Sequence, residues 1–217
     1  MLLLKISNGG RLLIKLSLSM NYLAHAYLSF ADPQILVGNM ISDFVKGKKQ
    51  YDYPAKIHAG IKLHREIDNF TDSHPSTAAI KAYFRPQYRL YSGAFADIVY
   101  DYFLANDDQE FLEVTELMDF TQATFDHLEK YPEWLGEKFG GMFPYMKSQN
   151  WLYHYREEQG IQKSFEGMRR RAAYLPETTI AFDLFRKHKN EMSLHYREFF
   201  PSVKTFAAHT LNELLKT

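Results

Sequence analysis

Polar residues that can bind a metal ion occur in pairs, four positions apart, within apolar helical patterns of this sequence. The three pairs are Asn39 with Asp43, His64 with Asp68, and Asp97 with Asp101. Side chains four positions apart project from the same face of an α-helix, so both members of a pair face the same neighbours. A carboxylate that faces an apolar interior is costly unless it is paired or binds a cation. Three such pairs together therefore predict one shared divalent metal ion.

The pair His64 and Asp68 has the clearest helical setting. Its face of the predicted helix also carries a stripe of apolar and small residues, namely Ile57, Gly60, Ile61, Ile67 and Thr71. The remaining faces carry polar residues, namely Lys62, Arg65, Glu66 and Asn69. At about 100° per residue, His64 and Asp68 therefore point where the core residues point.

The other two pairs leave alternatives open. Residues 93–105 (GAFADIVYDYFLA) are apolar apart from Asp97, Asp101 and two tyrosine hydroxyls, which predicts a helix buried nearly all round. Its two carboxylates could be metal ligands or could form structural pairs with tyrosines or arginines. Asp43 lies near a predicted helix end, where polar groups are ordinary. A lone histidine such as His25 is more often a satisfied core residue than a ligand.

Basic residues lie close in sequence to two of the pairs. The first group, which follows the first pair, is Lys46, Lys48 and Lys49, and Arg65 lies within the second pair. A run of charge is often only a solvated face. A positive rim beside an acidic metal centre would, however, attract a phosphate ester or an acidic protein that carries one. Residues 169–171 (RRR) form a second basic patch with the same two interpretations.

The composition narrows the class of protein and the class of site. The chain has 217 residues, of which 46% are hydrophobic, enough for one well-packed domain. Lys plus Arg and Asp plus Glu both number 26, so the overall charge gives no reason to expect binding to nucleic acid or to an anionic membrane. Cysteine is absent, which excludes disulfides and thiolate ligands. The oxygen and imidazole ligands that remain suit magnesium, manganese or iron.

Residues 1–19 contain two short apolar runs, and neither is long enough to span a bilayer. Lys15 interrupts the region that a signal peptide would keep apolar, so no targeting segment is predicted. We expect a dispensable or disordered extension ahead of a natural start at Met20, followed by a single helical domain over residues 20–217. A cytoplasmic location follows from this interpretation.

Helical periodicity dominates the rest of the sequence, and no alternating run is long enough to predict a sheet. The fold class is therefore predicted to be all-α. Helices are expected at residues 20–30, 34–46, 53–71, 75–84, 92–105, 109–130, 134–146, 149–157, 160–173, 177–191 and 193–215.

Four segments, taken in order and spacing, resemble the acyl carrier protein phosphodiesterase family. They are NYLAHAYLS, GNMISDFVKG, GIKLHREIDNFTD and DIVYDYFLA, and the resemblance extends from Met20 to about Phe200. It implies an HD-domain-like helical bundle with additional C-terminal helices. It also implies hydrolysis of the phosphodiester that joins 4'-phosphopantetheine to holo acyl carrier protein, with a divalent metal, typically manganese, and magnesium or iron(II) as alternatives. The product would be the apo form, which connects the chain to fatty acid biosynthesis and lipid metabolism.

Carried onto this sequence, the family's motif implies six metal-binding positions: His25, Asp43, His64, Asp68, Asp97 and Asp101. Catalytic roles are expected for Asp43, His64 and Arg65, with Asp43 taking the proton of the attacking water. The residues expected to bind the substrate are Lys46, Lys48, Lys49 and Arg65. The family commonly has a histidine where this sequence has Tyr102, which would leave the site one donor short if that histidine is a ligand.

Two other functions stay open from the sequence. The chain could be a phosphohydrolase of the same metal type that acts on a nucleotide or another small phosphate ester. It could also be a non-catalytic helical binding module, in which the acidic pairs are structural and no metal binds. The sequence predicts no particular oligomeric state.

Overall fold

The computed structural model describes residues 21–172 and 174–216, and this described chain consists of α-helices and short 3-10 turns without a β-strand. The prediction of an all-α fold is therefore confirmed. Each of the eleven predicted helices corresponds to a helix of the structure. The predicted extension over residues 1–19 lies outside the described residues.

The helices have the following bounds: α1 Tyr22–Tyr27, α2 Pro33–Ile41, α3 Ala55–Ser73, α4 Pro75–Tyr88, α5 Ser92–Ala105, α6 Val114–Glu129, α7 Gly136–Ser148, α8 Trp151–His154, α9 Glu158–Arg171, α10 Thr179–Lys187 and α11 Lys189–Leu214. The 3-10 turns are Ser42–Phe44, Gly47–Asp52, Arg89–Tyr91 and Pro132–Trp134.

The predicted boundaries shift most at the end of α2 and at the start of α6. Helix α2 ends at Ile41, and the chain then tightens into the 3-10 turn Ser42–Phe44 instead of continuing to residue 46. Helix α6 begins five residues later than residue 109 because Asp107 holds the preceding turn: its side chain accepts a hydrogen bond from the Gln109 N–H. In both places a local turn replaces helix that the apolar pattern alone would have extended.

Helices α2 and α3 cross with their backbones in contact. A Cβ atom added at Gly38 would lie 2.0 Å from the carbonyl oxygen of Ile57, and one added at Gly60 would lie 2.3 Å from that of Ile35. Only glycine allows this approach, so both positions are fixed by packing. The crossing brings Asn39, which follows Gly38, against the turn of α3 that carries His64.

Helix α5 runs through the core, and the prediction of a helix buried nearly all round is confirmed, since eleven of its fourteen residues are buried. The C-terminal helix α11 packs on the outer side of α3 and α5. Phe70 on α3 stacks on Phe206 with ring centroids 4.5 Å apart, and Tyr100 on α5 stacks on Phe199 at 4.2 Å. No helix in the described residues is long and apolar enough to cross a membrane.

Candidate metal centre

Three potential metal ligands from two helices meet at one buried point. One donor atom from each of His25, His64 and Asp68 lies within 4.8 Å of the other two. The two imidazole rings stack with centroids 3.9 Å apart, and their residues are only 2% and 4% exposed. Asp68 faces both rings, with Oδ1 3.3 Å from His25 Nε2 and Oδ2 3.5 Å from His64 Nε2.

Asn39 fixes the orientation of both rings. Its Nδ2 donates to the backbone carbonyl of His25 at 2.9 Å and to Ser29 Oγ at 3.1 Å, so its Oδ1 must be the atom that faces His25 Nδ1 at 2.7 Å. The backbone carbonyl of the same Asn39 lies 2.8 Å from His64 Nδ1. Both oxygens are acceptors, so both Nδ1 atoms carry the proton and each Nε2 presents a lone pair.

Those two lone pairs point into a space lined by carboxylate. Neither His25 Nε2 nor His64 Nε2 makes a hydrogen bond, although both atoms are buried. Two lone pairs that face the carboxylate of Asp68 repel it unless a cation lies between them. The donors therefore fit a divalent ion, and the hydrogen bonds to Asn39 are the kind that orients metal-binding histidines.

Asp43 adds a second carboxylate beside the same ring. It lies in the 3-10 turn after α2, and its Oδ1 is 3.5 Å from His64 Nε2. Its side chain is 15% exposed and that of Asp68 is 18% exposed, so solvent reaches both carboxylates, in contrast to the two buried rings. Asp43 and Asp68 thus both approach His64 Nε2.

The two histidines respond to this arrangement in opposite directions. Burial and the adjacent positive charge of His64 lower the pKa of His25, while Asp68 opposes both effects. Burial also lowers the pKa of His64, but the carboxylates of Asp68 and Asp43 outweigh it, and the net shift of its pKa is upward. Without a metal ion, the carboxylates therefore favour a proton on His64 Nε2, in the place that a cation would take, whereas burial favours the neutral form of His25.

The two aspartates of α5 have different surroundings. Burial raises the pKa of Asp97 well above its usual range, and the charges of Asp68 and Asp72 raise it further, so Asp97 interacts electrostatically with one carboxylate of the cluster. Asp101 instead accepts the backbone N–H groups of Leu23 at 3.1 Å and Ala24 at 2.8 Å. Its carboxylate thus holds the first turn of α1, and burial raises its pKa although both N–H groups oppose that rise.

Tyr102, which occupies the position of the family's histidine, packs towards the C-terminal helices. Its ring makes an edge contact with Phe185 at 5.1 Å between centroids, and Lys189 Nζ lies 4.8 Å from the ring centroid. These contacts belong to α10 and the start of α11. A tyrosine here therefore serves packing, and the described cluster assembles its donors without it.

The four predicted substrate-binding residues have two different settings: Arg65 holds a neighbouring segment, and the three lysines of that segment are exposed. Arg65 donates from one terminal nitrogen to Gln50 Oε1 at 2.6 Å and from the other to the carbonyl of Val45 at 3.0 Å. It thereby holds the segment that presents three exposed lysines: Lys46, Lys48 and Lys49. The lysine segment thus begins three residues after Asp43. Arg65, which follows His64 on α3, holds it there through hydrogen bonds to Val45 and Gln50.

Sequence reasoning singled out Asn39 but not the task it performs, and it missed Ser29 altogether. Ser29 Oγ donates to the carbonyl of His25 at 2.8 Å and accepts from Asn39 Nδ2. The available signal was the spacing of Ser29, four residues after His25, which allows a serine to bond the preceding turn.

The chain matches one protein family over most of its length. Residues 20–203 match the family model for acyl carrier protein phosphodiesterase. The acyl carrier protein phosphodiesterase of Yersinia pestis is 30% identical over 190 residues, which cover 88% of this chain and 98% of that protein. The one from Photorhabdus laumondii is 30% identical over 182 residues, which cover 84% of this chain and 92% of that protein.

A third relative, the acyl carrier protein phosphodiesterase of Klebsiella pneumoniae subsp. pneumoniae, is 30% identical over 188 residues, covering 87% of this chain and 97% of that protein. No solved structure matches the chain. The matched region contains the whole cluster described above, from His25 to Asp68. On this coverage and identity, the chain belongs to the acyl carrier protein phosphodiesterase family.

Proposed function

We propose that this protein is a metal-dependent phosphodiester hydrolase that removes 4'-phosphopantetheine from holo acyl carrier protein. Family membership supports the reaction and the substrate. The observation that carries the metal dependence is the pair of buried imidazole lone pairs, on His25 and His64, that face the carboxylate of Asp68 without a hydrogen bond.

The proposed ion is held by His25, His64 and Asp68, with Asp43 as the fourth donor. Asp97 interacts electrostatically with Asp68 of this set. Nitrogen and carboxylate donors without a thiolate suit manganese, with magnesium and iron(II) as alternatives. A divalent ion bound at this point would supply Lewis acidity towards a phosphoryl oxygen and a water molecule.

The protein's own groups complete the hydrolysis. The oxygen of water forms a bond to phosphorus, the bond from phosphorus to the serine oxygen of the carrier protein breaks, and that oxygen takes up a proton. Asp43 accepts the proton from the water, since its carboxylate is partly exposed to solvent. Lys46 is the proposed phosphate ligand, and Arg65 supports it by donating to the carbonyl of Val45, the residue before Lys46.

The lysine segment, Lys46 to Lys49, is the proposed docking surface for the carrier protein, which is acidic. Its lysines are exposed, and Arg65 fixes the segment that carries them. Complementary charge of this kind speeds association and weakens as salt is added.

The remaining predictions about the chain fit this function. A single HD-domain-like domain over residues 20–217 would place all the donors on one core. A cytoplasmic location would give the enzyme access to the acyl carrier protein of fatty acid biosynthesis. We infer both from the proposed function.

Incubation of the purified protein with holo acyl carrier protein and manganese tests the proposal directly. The carrier protein is then weighed by mass spectrometry, and we expect it to lose the mass of 4'-phosphopantetheine. An unchanged mass contradicts the proposed substrate, and hydrolysis of small diesters alone then indicates a phosphohydrolase of small phosphate esters. Protein purified without chelator that contains no divalent ion, and whose melting temperature does not respond to manganese, indicates a binding module instead.

A further inference from the structure

A cleft of about 920 Å³ opens between α7, α8 and α9, apart from the three ligands of the cluster. We call it the α7–α9 cleft. Small-molecule sites in proteins typically enclose about 300–1,000 Å³. The cleft is therefore large enough for a whole small ligand or for a long substituent of a larger one.

The uncharged part of the α7–α9 cleft lining is both apolar and polar. Apolar walls come from Met142, Trp151 and Tyr155, and neutral polar groups come from Gln149 and Ser164. This mixture suits a flexible chain that alternates methylene groups with amides.

Positive charge in the cleft exceeds negative charge. The cations are Lys163, Arg170 and Arg171, and the carboxylates are Glu157 and Glu166. Both carboxylates have partners, because His154 Nδ1 lies 3.2 Å from Glu157 and Gln162 donates to Glu166 at 3.4 Å. The excess of cations suits a ligand that carries an anionic group such as phosphate.

At the floor of the cleft, the backbones of α8 and α9 are in direct contact. A Cβ atom at Gly160 would lie 1.8 Å from the carbonyl oxygen of His154, so α9 can reach α8 only because residue 160 is glycine. The contact fixes the angle at which α9 leaves α8 and hence where its C-terminal arginines lie.

Two contacts connect the cleft to the metal cluster through α7. Phe139 on α7 packs against Tyr22 with ring centroids 6.3 Å apart and against Phe44 at 6.2 Å. Tyr22 lies one turn before His25, and Phe44 follows Asp43. The helix that forms one wall of the cleft therefore also supports two segments that carry candidate metal ligands.

Arg171 belongs to the cleft lining and acts electrostatically on Tyr22, which lies one turn before His25. Burial raises the pKa of Tyr22, the charge of Arg171 lowers it, and the charge of Asp43 raises it, so both charged groups act on one hydroxyl. Arg171 also lowers the pKa of the buried Tyr155, which lines the cleft. A cation of the cleft lining and the carboxylate that we propose as proton acceptor thus both act on Tyr22.

We propose that the α7–α9 cleft binds the pantetheine arm of the substrate, with Arg171 at its phosphate end. The proposal rests on the proposed function, because it assigns a place to the part of the substrate that is released. The arm is a neutral chain with two amides that carries phosphate at one end, which matches the lining described above. The scissile phosphorus then lies between Arg171 and Asp43.

Direct binding of the released product, 4'-phosphopantetheine, tests the site without turnover. We expect Ser164→Phe, which fills the cleft from α9, to raise the Kd measured by calorimetry at least tenfold. The matched control is Gln159→Phe, an exposed position on the same helix outside the cleft lining, and its Kd should stay within twofold of the unsubstituted protein. Equal affinity of all three proteins, or no binding to the unsubstituted protein, overturns the proposal.

The place of Arg171 is tested by comparing 4'-phosphopantetheine with pantetheine. Arg171→Ala should abolish the preference for the phosphorylated ligand, whereas Arg169→Ala should keep it, since Arg169 pairs with Glu177 outside the cleft. A preference that survives Arg171→Ala removes Arg171 from the phosphate end.

A spectroscopic measurement covers the case in which Ser164→Phe fails to fold. The chain has two tryptophans, so Trp134→Phe leaves Trp151, in the cleft lining, as the one emitter. Saturating 4'-phosphopantetheine should shift or quench this emission, and unchanged emission overturns the proposal. A protein that binds the product in the cleft but does not release it from holo carrier protein contradicts the proposed function alone.

Discussion

Helices α3 and α5 carry pairs with the same spacing and different tasks. On α3, His64 and Asp68 both face the cluster, 3.5 Å apart. On α5, Asp97 interacts electrostatically with Asp68 of the cluster, whereas Asp101 accepts hydrogen bonds from two backbone N–H groups of α1. Spacing therefore predicts which side chains share a face of a helix. The element packed against that face determines whether a buried carboxylate faces a candidate cation site or the N–H groups at the start of another helix.

This difference predicts that substitution of Asp68 reduces metal binding, whereas substitution of Asp101 reduces the stability of the fold. We expect Asp68→Ala to lose its bound metal and to lower turnover by well over about 100-fold, because substitution of even an outer residue of a metal site costs 10–100-fold. Metal analysis of the purified variant and the carrier-protein mass assay measure both effects. A variant that keeps full metal content and turnover would place the metal elsewhere.

Asp101→Ala should instead lower stability by about 2–5 kcal/mol, since each buried N–H left without an acceptor costs roughly 1–3 kcal/mol. Urea unfolding of the metal-free protein measures this loss. Asp101→Asn is the control, because its amide oxygen can still accept one of the two N–H groups. A fully stable Asp101→Ala protein that has lost its metal would make Asp101 a ligand and remove the contrast between the helices.

Substitution of Asn39 tests whether metal binding by the α3 pair and His25 depends on the orientation of the imidazole rings. Asn39→Ala removes the acceptor for His25 Nδ1 but keeps the backbone carbonyl that serves His64. We expect manganese affinity to fall about 10–100-fold, as for other residues that orient metal-binding histidines. Titration with manganese checks this. Ser29→Ala, which removes one partner of the Asn39 amide, should have the smaller effect, and the reverse order would contradict the proposed network.

The pH dependence of metal binding follows from the opposite pKa shifts of the two histidines. The raised pKa of His64 means that its proton stabilises the metal-free fold below about pH 6.5, the unfolded pKa, and that this contribution is lost as pH rises through the folded pKa. The lowered pKa of His25 keeps it neutral in the same range. A metal ion must therefore displace one proton.

We accordingly expect manganese affinity to rise by up to about tenfold per pH unit above pH 6.5, until His64 is deprotonated, and then to level off. Titrations at several pH values measure the slope. A slope near zero across this range would mean that His64 is not protonated in the metal-free protein. A slope that corresponds to two protons would mean that His25 is protonated as well.

The sequence was sufficient where local pattern decides structure and insufficient where distant contacts do. The helices and the burial of α5 followed from apolar periodicity, and the shared face of His64 and Asp68 followed from their spacing. The capping of α1 by Asp101 joins residues 77 and 78 positions apart, and no local pattern encodes it. The same holds for the glycine crossing of α2 and α3, which determines that Asn39 serves both histidines.

The smallest expected effect concerns the exposed lysine segment, Lys46 to Lys49, which is held against α3 by Arg65. Helix α5, in contrast, is buried nearly all round. Lys48→Ala should raise the KM for holo carrier protein about 1.4- to fivefold, since an exposed charge pair contributes about 0.2–1 kcal/mol. The effect should shrink at high salt, and kcat should stay unchanged, because the lysine acts on association and not on the reacting atoms. The control is Lys216→Ala, a lysine that pairs with Glu213 at the end of α11, and it should leave KM unchanged. If both variants behave alike, the carrier protein docks on another surface, and the basic segment beside Asp43 is only a solvated turn.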